Sequence, residues 1–238
     1  MNTQFIRSVL IDWGKISQDS YLRGIPAISS TEEIAFEKAV TCFVGENGTG
    51  KSTLLEAIAV AYGFNPEGGT RNYQFSTYDS HSQLHEAVRL TRGIRKPGWG
   101  YFLRAESFYN VATKEEEYSR GPGGIPQHYH EKSHGESFLA LARNSLRGGG
   151  IYLLDEPEAA LSPQRQLTLL MEIDRCAKAG AQFIMATHSP ILLGIPGAEI
   201  LSFDGGRIHS CSYEETESYR VMEMFINNRE QLLRRLLE

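Results

Sequence analysis

The run Gly45-Glu46-Asn47-Gly48-Thr49-Gly50-Lys51-Ser52 constrains what this chain can fold into more than any other stretch. It fits the spacing G-x-x-x-x-G-K-[ST]. Ahead of it, Ala39-Val-Thr-Cys-Phe-Val44 is β-branched and aromatic, which predicts a buried strand feeding a turn. Behind it, Ser52 to Tyr62 carries apolar residues at helical spacing, with Gly63 as the stop. A strand, a glycine loop and a helix in that order gather backbone N–H groups at the positive end of the helix, where they hold phosphate oxygens. Lys51 then reaches the β- and γ-phosphates, and the Ser52 hydroxyl is a ligand for Mg²⁺. The segment reads as a nucleotide-binding loop contacting its ligand through Gly45, Asn47, Gly48, Thr49, Gly50, Lys51, Ser52 and Thr53.

Elsewhere the pattern predicts strands at 5–11, 100–105, 151–155, 182–187 and 199–203. Helices are expected at 136–147 and 164–179, and an amphipathic helix or helix pair at 214–238. The stretch 65–100 reads as irregular with one short helix near 82–92. Strands alternating with helices predict an α/β fold with substantial parallel content. At 238 residues and 41% hydrophobic the chain can bury a core without covalent staples. Cys42, Cys176 and Cys211 lack C-x-x-C spacing and read as reduced thiols. The net charge of −5 disfavours a wholesale polybasic nucleic-acid binder and leaves a local patch open. No apolar run approaches the roughly 20 residues needed to cross a bilayer, and the N-terminus lacks a secretory pattern, so the expected location is cytoplasmic.

Four apolar residues lead into Asp155-Glu156-Pro157, placing two carboxylates at the carboxyl end of a predicted strand. In open α/β sheets that edge is where ligands bind. Asp155 suits a Mg²⁺ contact, and Glu156 suits polarising a water beyond the γ-phosphate. The same acids would also suit the cap of a following helix.

Together these motifs resemble the ATP-binding-cassette ATPases. Leu153-Leu-Asp155-Glu156-Pro-Glu-Ala-Ala-Leu161-Ser162 resembles that superfamily's Walker B strand and D-loop, and Ala186-Thr187-His188-Ser189-Pro190 its switch-histidine loop. Lys132-Ser133-His134-Gly135-Glu136-Ser137 stands in the place of the signature motif. Ser-His-Gly-Glu-Ser, Thr-His-Ser-Pro-Ile-Leu and Phe225-Ile-Asn-Asn-Arg are similar to small stand-alone bacterial AAA/ABC-type ATPases.

The resemblance implies one domain over 1–238: a P-loop NTPase with a mixed sheet, an N-terminal antiparallel β subdomain, a helical lobe near 65–147 carrying the signature, and a helical tail at 214–238. It implies ATP hydrolysis with Mg²⁺ and a head-to-tail homodimer that sandwiches ATP, acting as a switch or motor, in DNA repair or defence for example. The alternative is the nucleotide-binding subunit of a transporter with a separate membrane partner. By position, Glu156, His188 and Lys51 are catalytic; Ser133 and Gly135 touch the γ-phosphate across the dimer; Ser52, Asp155 and Glu106 surround the metal. Gln74 and Gln83 compete with Glu106 for the Q-loop place, and Tyr21 and Trp13 compete to stack on adenine. His134 and Glu136 depart from the usual Leu-Ser-Gly-Gly-Gln signature.

Three further features are legible. His128, His130, His134 and Glu131 match no familiar zinc spacing and read as a polar lead-in to the signature helix. Arg89, Arg92, Arg95, Lys96 and Arg104, with Trp99 and Tyr101, read as a solvated lobe face, with nucleic acid, phosphate groups or an acidic partner as the alternatives. An effector protein is a further expected partner, which the residues do not name. Met222, Phe225, Leu232, Leu233, Leu236 and Leu237 form apolar stripes for docking on the chain's own domain or on a partner.

Overall fold

Two sheets share the strands, with the helix that follows the glycine loop between them. The computed structural model describes residues 4–70, 82–104 and 134–237. Strands β1 (Ile6–Ile11), β2 (Glu33–Ala35) and β5 (Val88–Arg92) form an antiparallel sheet in the order β2-β1-β5. The second sheet has the order β10-β9-β3-β8-β7-β6-β4. Its centre, β9 (Glu199–Ser202), β3 (Val40–Val44), β8 (Gln182–Ala186), β7 (Gly150–Asp155) and β6 (Trp99–Arg104), is parallel. Antiparallel β10 (His209–Ser210) and β4 (Gly69–Thr70) close its edges.

Both faces of the parallel sheet are covered, which explains why its strands read as unbroken apolar runs. Phe43, Leu153 and Ile184 point toward helix α2 (Lys51–Tyr62) and the three-stranded sheet. Cys42, Leu154 and Met185, one residue out of phase, join the opposite core with helices α4 (His134–Ser145) and α5 (Pro163–Lys178). Burial on that face pushes the Cys42 thiol up to about 12, which keeps it inert. Buried Gln182 joins the sheets: its Oε1 accepts from Phe5 N at 2.8 Å and Ile6 N at 2.9 Å, and its Nε2 donates to Ile6 O.

The antiparallel subdomain and the parallel core match expectation. The helix expected near 82–92 is corrected: only Leu84–Ala87 (α3) is helical, and Val88–Arg92 is β5, paired with β1. Alternation of Val88 and Leu90 toward the core gave β5 a reason to form, but its hydrogen-bond partner lies some eighty residues upstream, beyond local pattern. Strand β2 went unread because three residues carry too little periodicity. Of the basic stretch, Arg89, Arg92, Arg95 and Lys96 are solvent-exposed as expected, but on β5 and the turn after it and not on a helical lobe. Arg89 pairs with Asp12, Arg92 lies over the Tyr62 ring, Arg95 lies over Phe5, and Arg104 turns inward at the end of β6. Pro26–Ser29 forms the short helix α1, and Pro190–Leu193 the short helix α6.

Candidate active site

The loop between β3 and α2 curls through positive φ at Gly45 (138°), Gly48 (82°) and Gly50 (97°). At Gly50 an added Cβ would lie 2.4 Å from Ile28 Cδ1, so packing against α1 also demands glycine there. The Lys51 ammonium folds back over its own loop, donating to Gly45 O at 2.6 Å and Glu46 O at 2.7 Å. Burial lowers its pKa, opposed by the charges of Asp204, Glu156, Asp155 and Glu158. An acid on the far side, Asp204, accepts from Glu46 N at 2.9 Å and so fixes the start of the loop.

Ser52, second in α2, donates to Asp155 Oδ1 at 2.8 Å. The parallel pairing of β6 with β7 sets Arg104 opposite Asp155. Arg104 Nε lies 3.8 Å from Asp155 Oδ2 while its Nη1 meets Glu56 Oε2 at 2.6 Å. The other Glu56 oxygen accepts from Ser82 N at 3.2 Å. One guanidinium thus ties the glycine-loop helix to the strand that presents the aspartate.

Glu156 departs from the sheet with φ of 48°, the left-handed region that side chains other than glycine adopt at a cost of about 1–2 kcal/mol. Its N–H donates to Ala186 O, holding it at the end of β8. The turn directs it to an open cleft of about 510 Å³ shared with Glu46, Asn47 and His188. His188 Nε2 is enclosed and has no hydrogen-bond partner among the described residues. Its backbone N donates to Glu158 Oε1 at 2.6 Å. Ser189 caps α6 and donates to Gln166 Oε1 at 2.6 Å, and Gln166 Nε2 donates to Leu161 O.

The fold therefore brings Lys51, Ser52, Asp155, Glu156 and His188 to one edge of the sheet. Gly135 lies in the first turn of α4, where Glu136 pairs with Arg165 at 3.2 Å on the surface. Ser133, Glu106, Gln74, His128, His130 and Glu131 lie outside the described residues. Gln83 is exposed at the start of α3. Tyr21 stands 64% exposed in a 3-10 turn. Trp13 is engaged: Arg23 lies 5.5 Å from its ring centroid, and its Nε1 donates to Thr31 O. Arg104, Glu56, Glu158, Gln166 and Asp204 went unread as site residues. Only Glu158 carried a local signal, a third acid directly after Asp155-Glu156-Pro157.

Such a loop and its paired acids on a parallel sheet define a nucleoside-triphosphate hydrolase of the phosphate-loop class. Residues 21–120 match the family model "AAA domain", and residues 137–194 match "AAA domain, putative AbiEii toxin, Type IV TA system". The thiamine import ATP-binding protein ThiQ of Ruegeria sp. (strain TM1040) is 32% identical over 195 residues, 71% of this chain and 78% of that protein. ThiQ of Cereibacter sphaeroides is 33% identical over 168 residues, 62% of this chain and 69% of that protein. An SMC head domain from Thermotoga maritima superposes with a TM-score of 0.44 at 15% identity, over 87% of this chain and 98% of that one. The chain belongs to the ATP-binding-cassette ATPases, and its reaction is ATP hydrolysis. Among the described residues no helix is long and apolar enough to cross a membrane.

Proposed function

We propose that two copies of this chain close head to tail on two ATP molecules and use the cycle of closure and hydrolysis as a cytoplasmic switch or motor. The carrying observation is the shared edge at which the Ser52–Asp155 pair, Glu156 and His188 face the glycine loop. The loop N–H groups and Lys51 bind the triphosphate, which draws the ammonium off its own carbonyls. Glu156 accepts a proton from the attacking water, and His188 Nε2 holds that water or the γ-phosphate. The partner's Ser133 and Gly135 complete the enclosure, Gly135 from the first turn of α4, and Tyr21 stacks on adenine.

Two hard oxygens 2.8 Å apart, Ser52 Oγ and Asp155 Oδ1, fit the ligand chemistry of Mg²⁺, with Glu106 as a further ligand. Bound there, Mg²⁺ supplies charge neutralisation for the β- and γ-phosphates.

The test is a Glu156→Gln variant in ATP with Mg²⁺, which removes the base and leaves the cradle. Light scattering should report a dimer; a monomer at saturating ATP overturns the sandwich. Lys51→Ala should lose ATP binding by calorimetry.

The relatives' names favour a second reading, in which a separate membrane permease is the load. The match of residues 137–194 to a toxin–antitoxin family model favours a defence role. Capture on the Glu156→Gln protein, with and without nuclease, separates them: a permease supports transport, and nuclease-sensitive DNA or RNA supports repair or defence.

A further inference from the structure

Helix α7 (Glu217–Leu237) carries no buried residue, yet it is amphipathic along its whole length. Seven of the twelve exposed large apolar side chains among the described residues lie on it. Its root is fixed: Tyr213 Oη donates to Pro190 O at 2.9 Å, the Tyr213 and Tyr219 rings stand 4.7 Å apart, and Thr216 is buried. Beyond Tyr219 every residue to Gln231 is exposed. At about 1.5 Å per residue its two halves, 217–227 and 229–237, span about 16 and about 13 Å. Helices of these lengths gain most of their stability from covering the apolar face, so this face needs a cover.

Val221, Met222, Phe225 and Ile226 keep to one side of the first half, and Leu233 and Leu236 to one side of the second, the two halves meeting at Asn228. The charges around this stripe are segregated by half. On the helix itself, Glu217 and Glu223 stand against Arg220 before Asn228, and Arg229, Arg234 and Arg235 against Glu230 after it. The departure from helical angles at Asn228 (φ −133°, ψ 30°) falls between the halves. Glu217 and Glu223 flank the apolar residues of the first half, and Arg234 and Arg235 flank those of the second.

We propose that α7 pairs antiparallel with α7 of a second copy. Antiparallel pairing sets each acidic half on a basic half at both edges and buries the two stripes together. Parallel pairing would set like charge on like. The helix macrodipoles also favour the antiparallel sense. A two-fold axis between the helices makes the surface self-complementary and closed. A lipid surface is disfavoured: helices that lie on membranes carry Lys and Arg along the polar face, whereas α7 has no lysine and intersperses glutamates. Glu217, Ser218 and Arg220 at the root of α7 border the cleft lined by Gly45, Glu46 and Thr49, whereas Phe225 and Leu236 do not line it. The apolar substitutions therefore separate this interface from the nucleotide sandwich.

Sedimentation velocity on the full chain without nucleotide tests it. The wild type and Lys51→Ala should both sediment as dimers, whereas Phe225→Glu with Leu236→Glu should sediment as a monomer that still binds ATP. Arg234→Glu with Arg235→Glu should weaken the dimer by about tenfold or more. Mixing it with Glu217→Arg plus Glu223→Arg should restore a dimer containing both variants. A monomeric nucleotide-free wild type, a dimer indifferent to the apolar substitutions, or a mixture without recovery overturns the proposal. Flotation of a monomeric wild type with anionic phosphatidylserine vesicles would assign the face to lipid and overturn it equally.

Discussion

Glu158 Oε1 accepts the backbone N–H of His188 at 2.6 Å, across thirty residues of chain. The loop that presents Glu156 is thereby tied to the loop that presents the histidine. The second Glu158 oxygen is buried without a hydrogen-bond partner among the described residues, so the carboxylate is committed to this contact. Glu158→Ala should lower kcat roughly ten- to a hundredfold by misplacing His188, with little change in ATP affinity. Glu158→Gln keeps an accepting oxygen and should recover most of the rate. In a His188→Ala background the Glu158→Ala effect should vanish; additive losses in that double-mutant cycle would sink the coupling.

Arg104 serves two carboxylates at once, at side-chain exposures of 19% for itself, 11% for Glu56 and 9% for Asp155. Removing one partner of a largely buried ion pair leaves uncompensated charge and costs about 3–5 kcal/mol when burial is complete. Arg104→Met should therefore lower Tm by about 5–10 °C. It should also shift the Mg²⁺ concentration for half-maximal turnover, since Asp155 loses its neighbour. A Tm within a degree of wild type would show the network to be idle.

The left-handed turn at Glu156 separates catalysis from stability. Glu156→Gln and Glu156→Asn should both abolish turnover, because each removes the carboxylate proposed as the base. Asparagine adopts φ near 48° more readily than glutamine. The Asn variant should melt about 1–3 °C above the Gln variant in thermal denaturation without nucleotide. Equal melting temperatures would mean the turn carries no strain.

Glu199 has a pKa raised first by burial and then by the charge of Glu37. Between 4.5 and the raised value the folded state binds more protons than the unfolded one, so stability falls as pH rises through that window. Glu199→Gln should raise Tm by about 1–3 °C at neutral pH, and the gain should disappear below the unfolded carboxylate range. A gain that persists in acid would point to packing instead.

The chemistry-bearing loops were legible because each is a short contiguous run whose residue types have only a few structural uses. Gly45 to Ser52 dictates its own curl, and four apolar residues before Asp155 dictate a buried strand that ends in acids. Arg104 shows where such reading stops. In sequence it belonged to a basic stretch; in the fold, the register of β6 on β7 sets it opposite Asp155. Strand β5 gives the same lesson, since its pairing with β1 overrode a local pattern that suggested helix.

By itself, then, the sequence determined the glycine loop, the acids at the end of β7, the histidine after β8 and the alternation of strand and helix, all of which follow from near neighbours in the chain. Tertiary structure alone decided which side chains orient them: Arg104 and Glu56 beside Asp155, Glu158 under His188, and Asp204 at the loop. It also decided that the apolar stripe of α7 faces outward. The physical reason is range. Propensity and loop curvature act over a few residues, whereas hydrogen bonds and ion pairs at a sheet edge join segments whose separation in sequence carries no signal.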